Sequence, residues 1–228
     1  MSTRQAARAG ARALTLAGIA AFAALLAPSR GAAVQLDLGA VTCGSYENEV
    51  LTGSMAGYTP DPIDTVMWLF GFSIARSGER FMYGDSLKAF GFALDAECKN
   101  NAGEKLKDAV AAVKSTRQNP MDLTHLDCAT FGPRHVALRK SDPENAATLT
   151  LWMFGYSVGL SQEHAFDPDG VGKFDARLLD HCNTHPQDSL FDALRALKPG
   201  ASPAPAPPKR QRAAKQPPPA TPDQAPPH

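Results

Sequence analysis

Two stretches 84 residues apart decide the fold: Met67-Trp68-Leu69-Phe70-Gly71-Phe72-Ser73 and Leu151-Trp152-Met153-Phe154-Gly155-Tyr156-Ser157. With Trp68 laid on Trp152, the same offset brings Phe90 onto Phe174, Leu94 onto Leu178 and Cys98 onto Cys182. It continues through Leu106, Asp108 and Ala109 onto Leu190, Asp192 and Ala193. Upstream, loop lengths shift the register, to 85 for Cys43 on Cys128 and to 81 for Asp61-Pro62 on Asp142-Pro143. Chance does not align two cysteines, a tryptophan and a glycine in this order. The pattern predicts two copies of one unit of about 70 to 80 residues, a size at which a hydrophobic core alone is marginal and a covalent staple helps.

Each copy reads as helical. Asp61-Pro62 and Asp142-Pro143 put a capping acid before a proline at the first helical position, where the missing N–H costs nothing. Apolar residues then recur at helical spacing through Met67, Trp68, Gly71, Phe72 and Ala75, and through Leu151, Trp152, Gly155, Tyr156 and Gly159. A second helix is expected after Asp85 or after Asp169-Gly170, running to Cys98 or Cys182. A third carries Leu106, Ala109, Val110 and Val113, or Leu190, Ala193, Leu194 and Leu197. Short helical segments around Cys43 and Cys128 would make about four helices per unit, and neither copy offers convincing alternating strands. The predicted class is all-α.

The Trp-x-x-Gly-aromatic pattern makes sense as packing. Trp and Gly at i and i+3 share a helix face, and a mid-helix glycine costs roughly 1 kcal/mol against alanine. Close approach of a crossing helix, with the Trp ring covering the contact, offsets that cost. Trp68, Gly71, Phe72, Trp152, Gly155 and Tyr156 are therefore expected in the core, the alternative being that part of this face serves a partner.

The chain ends differ from its middle. Residues 1–33 hold four arginines, an apolar run from Ala13 to Ala27 and a small-residue site at Gly31-Ala32-Ala33, the three regions of a secretory signal peptide. That run is shorter than the roughly 20 residues that span a bilayer. From 199 to 228 lie 11 of the 19 prolines, with Ala, Gln, Lys and Arg, a composition expected to stay disordered. The expected organisation is thus a signal peptide 1–33, units at 34–120 and 121–198, and a tail 199–228. Between the ends, 15 basic and 22 acidic residues give a net charge of −7, which argues against nucleic acid as partner.

Export implies an oxidising compartment, where the four cysteines would pair. They allow three connectivities; if each copy closes on itself, the pairs are Cys43 with Cys98 and Cys128 with Cys182, each loop corresponding to about 4 kcal/mol in the chain-entropy model. No Cys-x-x-Cys suggests a redox or zinc motif. His181, Cys182 and His185, with His164 or Asp167, make a weak metal set, and Cys182 is better placed in a disulfide. Asp167-Pro168-Asp169-Gly170 lacks the later oxygen ligands of a calcium loop and reads as a turn and helix cap. No nucleophile motif or phosphate loop appears, so neither enzyme activity nor a metal or cofactor is expected.

With a Cys near its start, a Trp-x-x-Gly-Phe/Tyr helix, a second Cys about 55 residues on and a following Leu-x-x-Ala helix, each copy resembles the HdeA/HdeB family of periplasmic acid-stress chaperones. Residues 43–114 and 128–197 carry the resemblance, and the run from Cys182 to Ala193 is the nearer to the family pattern. The resemblance implies an all-helical fold stapled by Cys43, Cys98, Cys128 and Cys182, quiescent near neutral pH. In acid it would loosen and hold unfolding periplasmic clients on exposed apolar surface without ATP. Family members are typically single units that pair; here the two units would pack as an intrachain pseudo-dimer, with a homodimer as the other arrangement. Full protonation would carry residues 34–198 from −7 toward +20, and such self-repulsion destabilises compact states. The other functional class is a neutral-pH binding or inhibitor module, such as an immunity-type protein for a secreted toxin.

Overall fold

Asp61 and Asp142 start two long helices, of 15 and 17 residues. The Asp61 carboxylate accepts from the Ile63 N–H at 2.7 Å and that of Asp142 from the Asn145 N–H at 3.2 Å, satisfying amides that a helix start leaves free. The structure, a computed structural model, describes residues 34–83, 86–113 and 119–199. The expected signal peptide lies outside the described residues, as does the expected tail beyond Pro199.

The element order is β1 (Leu36–Asp37), α1 (Cys43–Ser45, continued by a π-helical turn Tyr46–Val50), α2 (Pro62–Arg76), β2 (Phe81–Tyr83), α3 (Leu87–Asn100) and α4 (Leu106–Ala112). The second half repeats it with β3 (Pro120–Asp122), α5 (Cys128–Ser141), α6 (Pro143–Gly159), β4 (Ala165–Phe166), α7 (Gly170–Thr184) and α8 (Leu190–Ala196). The fold is all-α, two disulfide-stapled four-helix units with only short strands. Those strands, two or three residues long, are too short to show as alternation in the sequence. They pair between the halves: β1 with β4, Leu36 opposite Phe166, and β2 with β3, Met82 opposite Met121. Each half thus lends its leading strand to the strand behind the long helix of the other.

The correspondence extends to individual hydrogen bonds. Cys43 N–H donates to the Glu104 carbonyl and Cys128 N–H to that of Asp188, both at 2.9 Å. Ser73 Oγ donates to the Val110 carbonyl and Ser157 Oγ to that of Leu194, both at 3.1 Å. Across the halves, Leu38 N–H donates to the His164 carbonyl and Leu123 N–H to that of Arg80, both at 2.9 Å.

Among the described residues the path of the halves differs between the opening helix and the long one. In the first, eleven residues from Leu51 to Asp61 separate the opening helical turn from α2. In the second, α5 runs for 14 residues, longer than the short segment expected there, and Asp142 both ends it and caps α6. Asp169 also departs from the expected cap: its side chain makes no capping bond to α7, and Asp167 instead accepts from the Asp169 N–H at 3.0 Å in a turn.

Candidate functional site: the face between the two units

Helices α2 and α6 share the most extensive contact of the described residues. Their Trp-x-x-Gly motifs meet each other: a methyl group on Gly71 would overlap the Trp152 carbonyl oxygen, and one on Gly155 would overlap that of Trp68. A methyl on Gly159 would lie 2.7 Å from both the Ala75 Cβ and the Phe72 carbonyl oxygen. The two helices therefore run side by side in the same direction, backbone against backbone. Only glycine permits this, since the obstructing atoms are main-chain carbonyls that no rotamer change can move.

Around this contact the aromatic residues divide by destination. Phe70 packs on Phe90 and Phe154 on Phe174 within their own units, with ring centroids 5.1 and 5.2 Å apart. Trp68 stacks on Phe72 and, across the halves, on Phe166 at 5.0 Å; Trp152 stacks on Tyr156 at 5.2 Å. The Tyr156 hydroxyl crosses to donate to the Glu79 carbonyl at 2.6 Å, and burial pushes its pKa up to about 12. Trp68, Gly71, Phe72, Trp152, Gly155 and Tyr156 are all buried. Neither indole N–H, of Trp68 or of Trp152, has a hydrogen-bond partner among the described residues, and each ring packs on aromatic neighbours. Cys43–Cys98 and Cys128–Cys182 are disulfide-bonded, closing separations of 55 and 54 residues with Cα atoms 4.7 Å apart in each. Among the described residues no cysteine is free.

A buried polar cluster on the second unit was not legible in the sequence. His135 Nε2 and Asp175 Oδ1 are 2.7 Å apart, Arg139 reaches the other carboxylate oxygen at 2.9 Å, and the Thr150 hydroxyl donates to Asp175 at 3.2 Å. Burial of the Asp175 carboxyl opposes its ionisation. Even so, the hydrogen bond and charge of His135, with the Arg139 guanidinium and Thr150, hold it below the ordinary carboxylate range. The repeat offsets put Val50, Val66 and Gly91 at the matching places of the first unit, where Gly91 faces a Val66 methyl. The same spot is thus ionic in one half and apolar in the other. A spacing of 40 residues between His135 and Asp175 carries no motif; the one available signal was the break in repeat character at these positions.

Other carboxylates add to the imbalance. Hydrogen bonds from Thr124 hold Asp122, in the β2–β3 ladder, below its ordinary pKa, and bonds from Thr130 do the same for Asp127 at the start of α5. On the first unit Asp64 moves the other way, raised by burial and by Asp61. His181 bonds Asp188 at 3.0 Å and stacks on His185 at 4.6 Å. His164 lies elsewhere, edge-on to Phe72. Among the described residues no group of three or more His, Cys, Asp or Glu is placed to hold a metal, and no helix is long and apolar enough to cross a membrane.

Compared with known proteins, residues 107–192 match the HdeA/HdeB family. That segment runs from α4 through the Cys128–Cys182 disulfide into α8. No curated protein and no solved structure matches the chain.

Proposed function

We propose that this chain, whose residues 107–192 match the HdeA/HdeB family of periplasmic acid-stress chaperones, is a periplasmic, ATP-independent holdase whose α2–α6 face opens in acid to hold unfolding clients. We further propose that it carries two family-type units in tandem, at 34–120 and 121–198, packed as an intrachain pseudo-dimer. The shared element order and the paired hydrogen bonds support that view, and the disulfides fit an oxidising compartment.

The observation that carries the proposal is the large buried apolar face between α2 and α6, in a fold whose second half also holds carboxylates stabilised only while ionised. Groups whose folded pKa is depressed contribute stability above the unfolded value, near pH 4, and lose it as pH falls through the folded value. The carboxylates of Asp122, Asp127 and Asp175 are all of this kind. All three belong to the second unit, so acid removes their stabilising bonds from that half, whereas the raised Asp64 of the first makes no such contribution. Self-repulsion as the folded part moves from −7 toward +20 adds to the effect. The disulfides limit expansion of each unit, so the opened state stays collapsed with the Trp68 and Trp152 faces parted. Its partners in this state are unfolding proteins recognised by apolar surface.

The test is suppression of aggregation of a periplasmic extract by the oxidised protein at pH 2 to 3 and at pH 7. Protection only in acid, lost on reduction, is expected. A protein that stays folded in acid and protects at neither pH overturns the proposal.

A further inference from the structure

The two halves differ in what covers one groove. In the first unit the loop before α2 lays Tyr58 over the unit: its ring meets Phe166 edge-on at 6.4 Å and its hydroxyl is 2.7 Å from Thr65 Oγ1. Burial pushes the Tyr58 phenol up to about 12, against the pull of the Thr65 hydrogen bond, and Tyr58 in turn adds to the burial-driven upward shift of the neighbouring Tyr46. Tyr58 therefore sits among Tyr46, Thr65 and Phe166. Leu36, beside Phe166 in the ladder, is 0% exposed, Phe166 is 1% and Thr65 is 0%.

The repeat offsets carry Tyr46, Thr65, Phe166 and Leu36 onto Phe131, Leu149, Met82 and Met121. On the second unit these four residues, Met82 lent by β2 of the first, line an open groove of about 290 Å³. Met121 is 37% exposed, and Met82 and Leu149 are half-buried. The cause is the missing loop: α5 passes directly into α6 at Asp142, so no loop before α6 supplies a counterpart of Tyr58. His135 lines the same groove, fully buried, and among the described residues its Nδ1 has no hydrogen-bond partner. At the rim stands the exposed Arg134, which makes no ion pair among the described residues and occupies the place of Glu49 in the first unit.

We infer that this groove is a docking site, open at neutral pH, for an extended segment of a partner polypeptide that seats a tyrosine ring among Met82, Met121, Phe131 and Leu149 and sets a carboxylate near Arg134. The first unit supplies the template for the ring, since its own loop places Tyr58 in the matching groove, and the exposed Arg134 guanidinium selects a carboxylate by charge. Thioether side chains suit such a site, because they are flexible and make favourable contacts with aromatic rings. The groove is continuous with the β2–β3 ladder between the units, so a docked segment extends an existing interface. The mechanism resembles helix or strand docking by anchor residues in shape, but a single aromatic anchor with a charged neighbour carries it. The site exists in the folded state and does not rest on acid opening.

The test uses the peptide Ser-Met-Ala-Gly-Tyr-Thr-Pro-Asp, the sequence of residues 54–61, titrated against the oxidised full chain at pH 7 by fluorescence anisotropy. Saturable one-to-one binding is expected. The peptide with Tyr58→Ala should bind at least about tenfold more weakly, a loss of about 1.4 kcal/mol, and that with Tyr58→Phe should stay within a few-fold. In the protein, Met121→Lys and, separately, Arg134→Glu are exposed changes expected to weaken binding with the urea midpoint unmoved. No saturable binding, equal binding of the Tyr58→Ala peptide, or indifference to both protein variants overturns the inference. Concentration-dependent self-association abolished by Met121→Lys, at a residue lining the groove, would also overturn it by assigning the groove to a second copy.

Discussion

Replacing Gly155 with alanine sets two effects against each other. Alanine is the better helix former by about 1 kcal/mol, so on an uncrowded helix the substitution stabilises. Here the new methyl overlaps the Trp68 carbonyl oxygen, a main-chain atom, and the helices must part by roughly 1 Å to admit it. A gap of that size forfeits a quarter to a half of the dispersion well for the atoms that line it, and α2–α6 is the contact on which the two halves close. Overpacking of this kind costs about 1–3 kcal/mol, and with rigid backbone as the obstacle the upper end applies. The expected net loss is about 2 kcal/mol, or about 4–8 °C in Tm for a folded region of this size. Urea unfolding at pH 7 with the disulfides intact, followed by fluorescence of Trp68 and Trp152 at the contact, reads it directly. The reciprocal change Gly71→Ala should cost about the same. The double variant should cost less than the two together, because helices already parted accept the second methyl more easily. A Gly155→Ala protein stabilised by about 1 kcal/mol would refute the close approach.

Asp175→Asn removes a charge that His135 and Arg139 share, and should lower stability at pH 7 by about 2–3 kcal/mol, discounted for the half-exposed Arg139. Because the Asp175 pKa is depressed in the fold, the difference from the parent should persist down to about pH 4 and vanish below the folded pKa. Urea midpoints from pH 7 to 2 trace this, and a constant difference would show that the carboxylate is not the titrating group. Replacing Cys128 and Cys182 by serine should cost up to about 4 kcal/mol, measured by urea unfolding at pH 7, and should abolish protection of clients in acid. Tyr58→Phe deletes the bond to Thr65 and should cost about 1 kcal/mol, with the ring contact to Phe166 kept; a calorimetric Tm unchanged within error would show that the hydroxyl bond contributes nothing.

Sequence alone settled what depends on local chemistry and on repetition. Asp-Pro starts, helical apolar spacing and the terminal positions of Cys98 and Cys182 define helices whose ends are fixed by capping and backbone geometry, which short windows encode. The glycine at i+3 from each tryptophan announced that something approaches closely, because nothing else offsets a mid-helix glycine. Tertiary structure alone decided what approaches: the same motif of the other half, with leading strands exchanged, an arrangement set by packing between residues 84 apart that no window contains. It also decided the chemistry that breaks the repeat. His135 and Asp175 meet because α5 and α7 are stapled together by Cys128–Cys182, and the groove beneath Met121 stays open because Asp142 joins two helices with no loop between them. Both are consequences of long-range burial, where a polar pair or an uncovered apolar patch acquires its meaning only from what the rest of the chain places beside it.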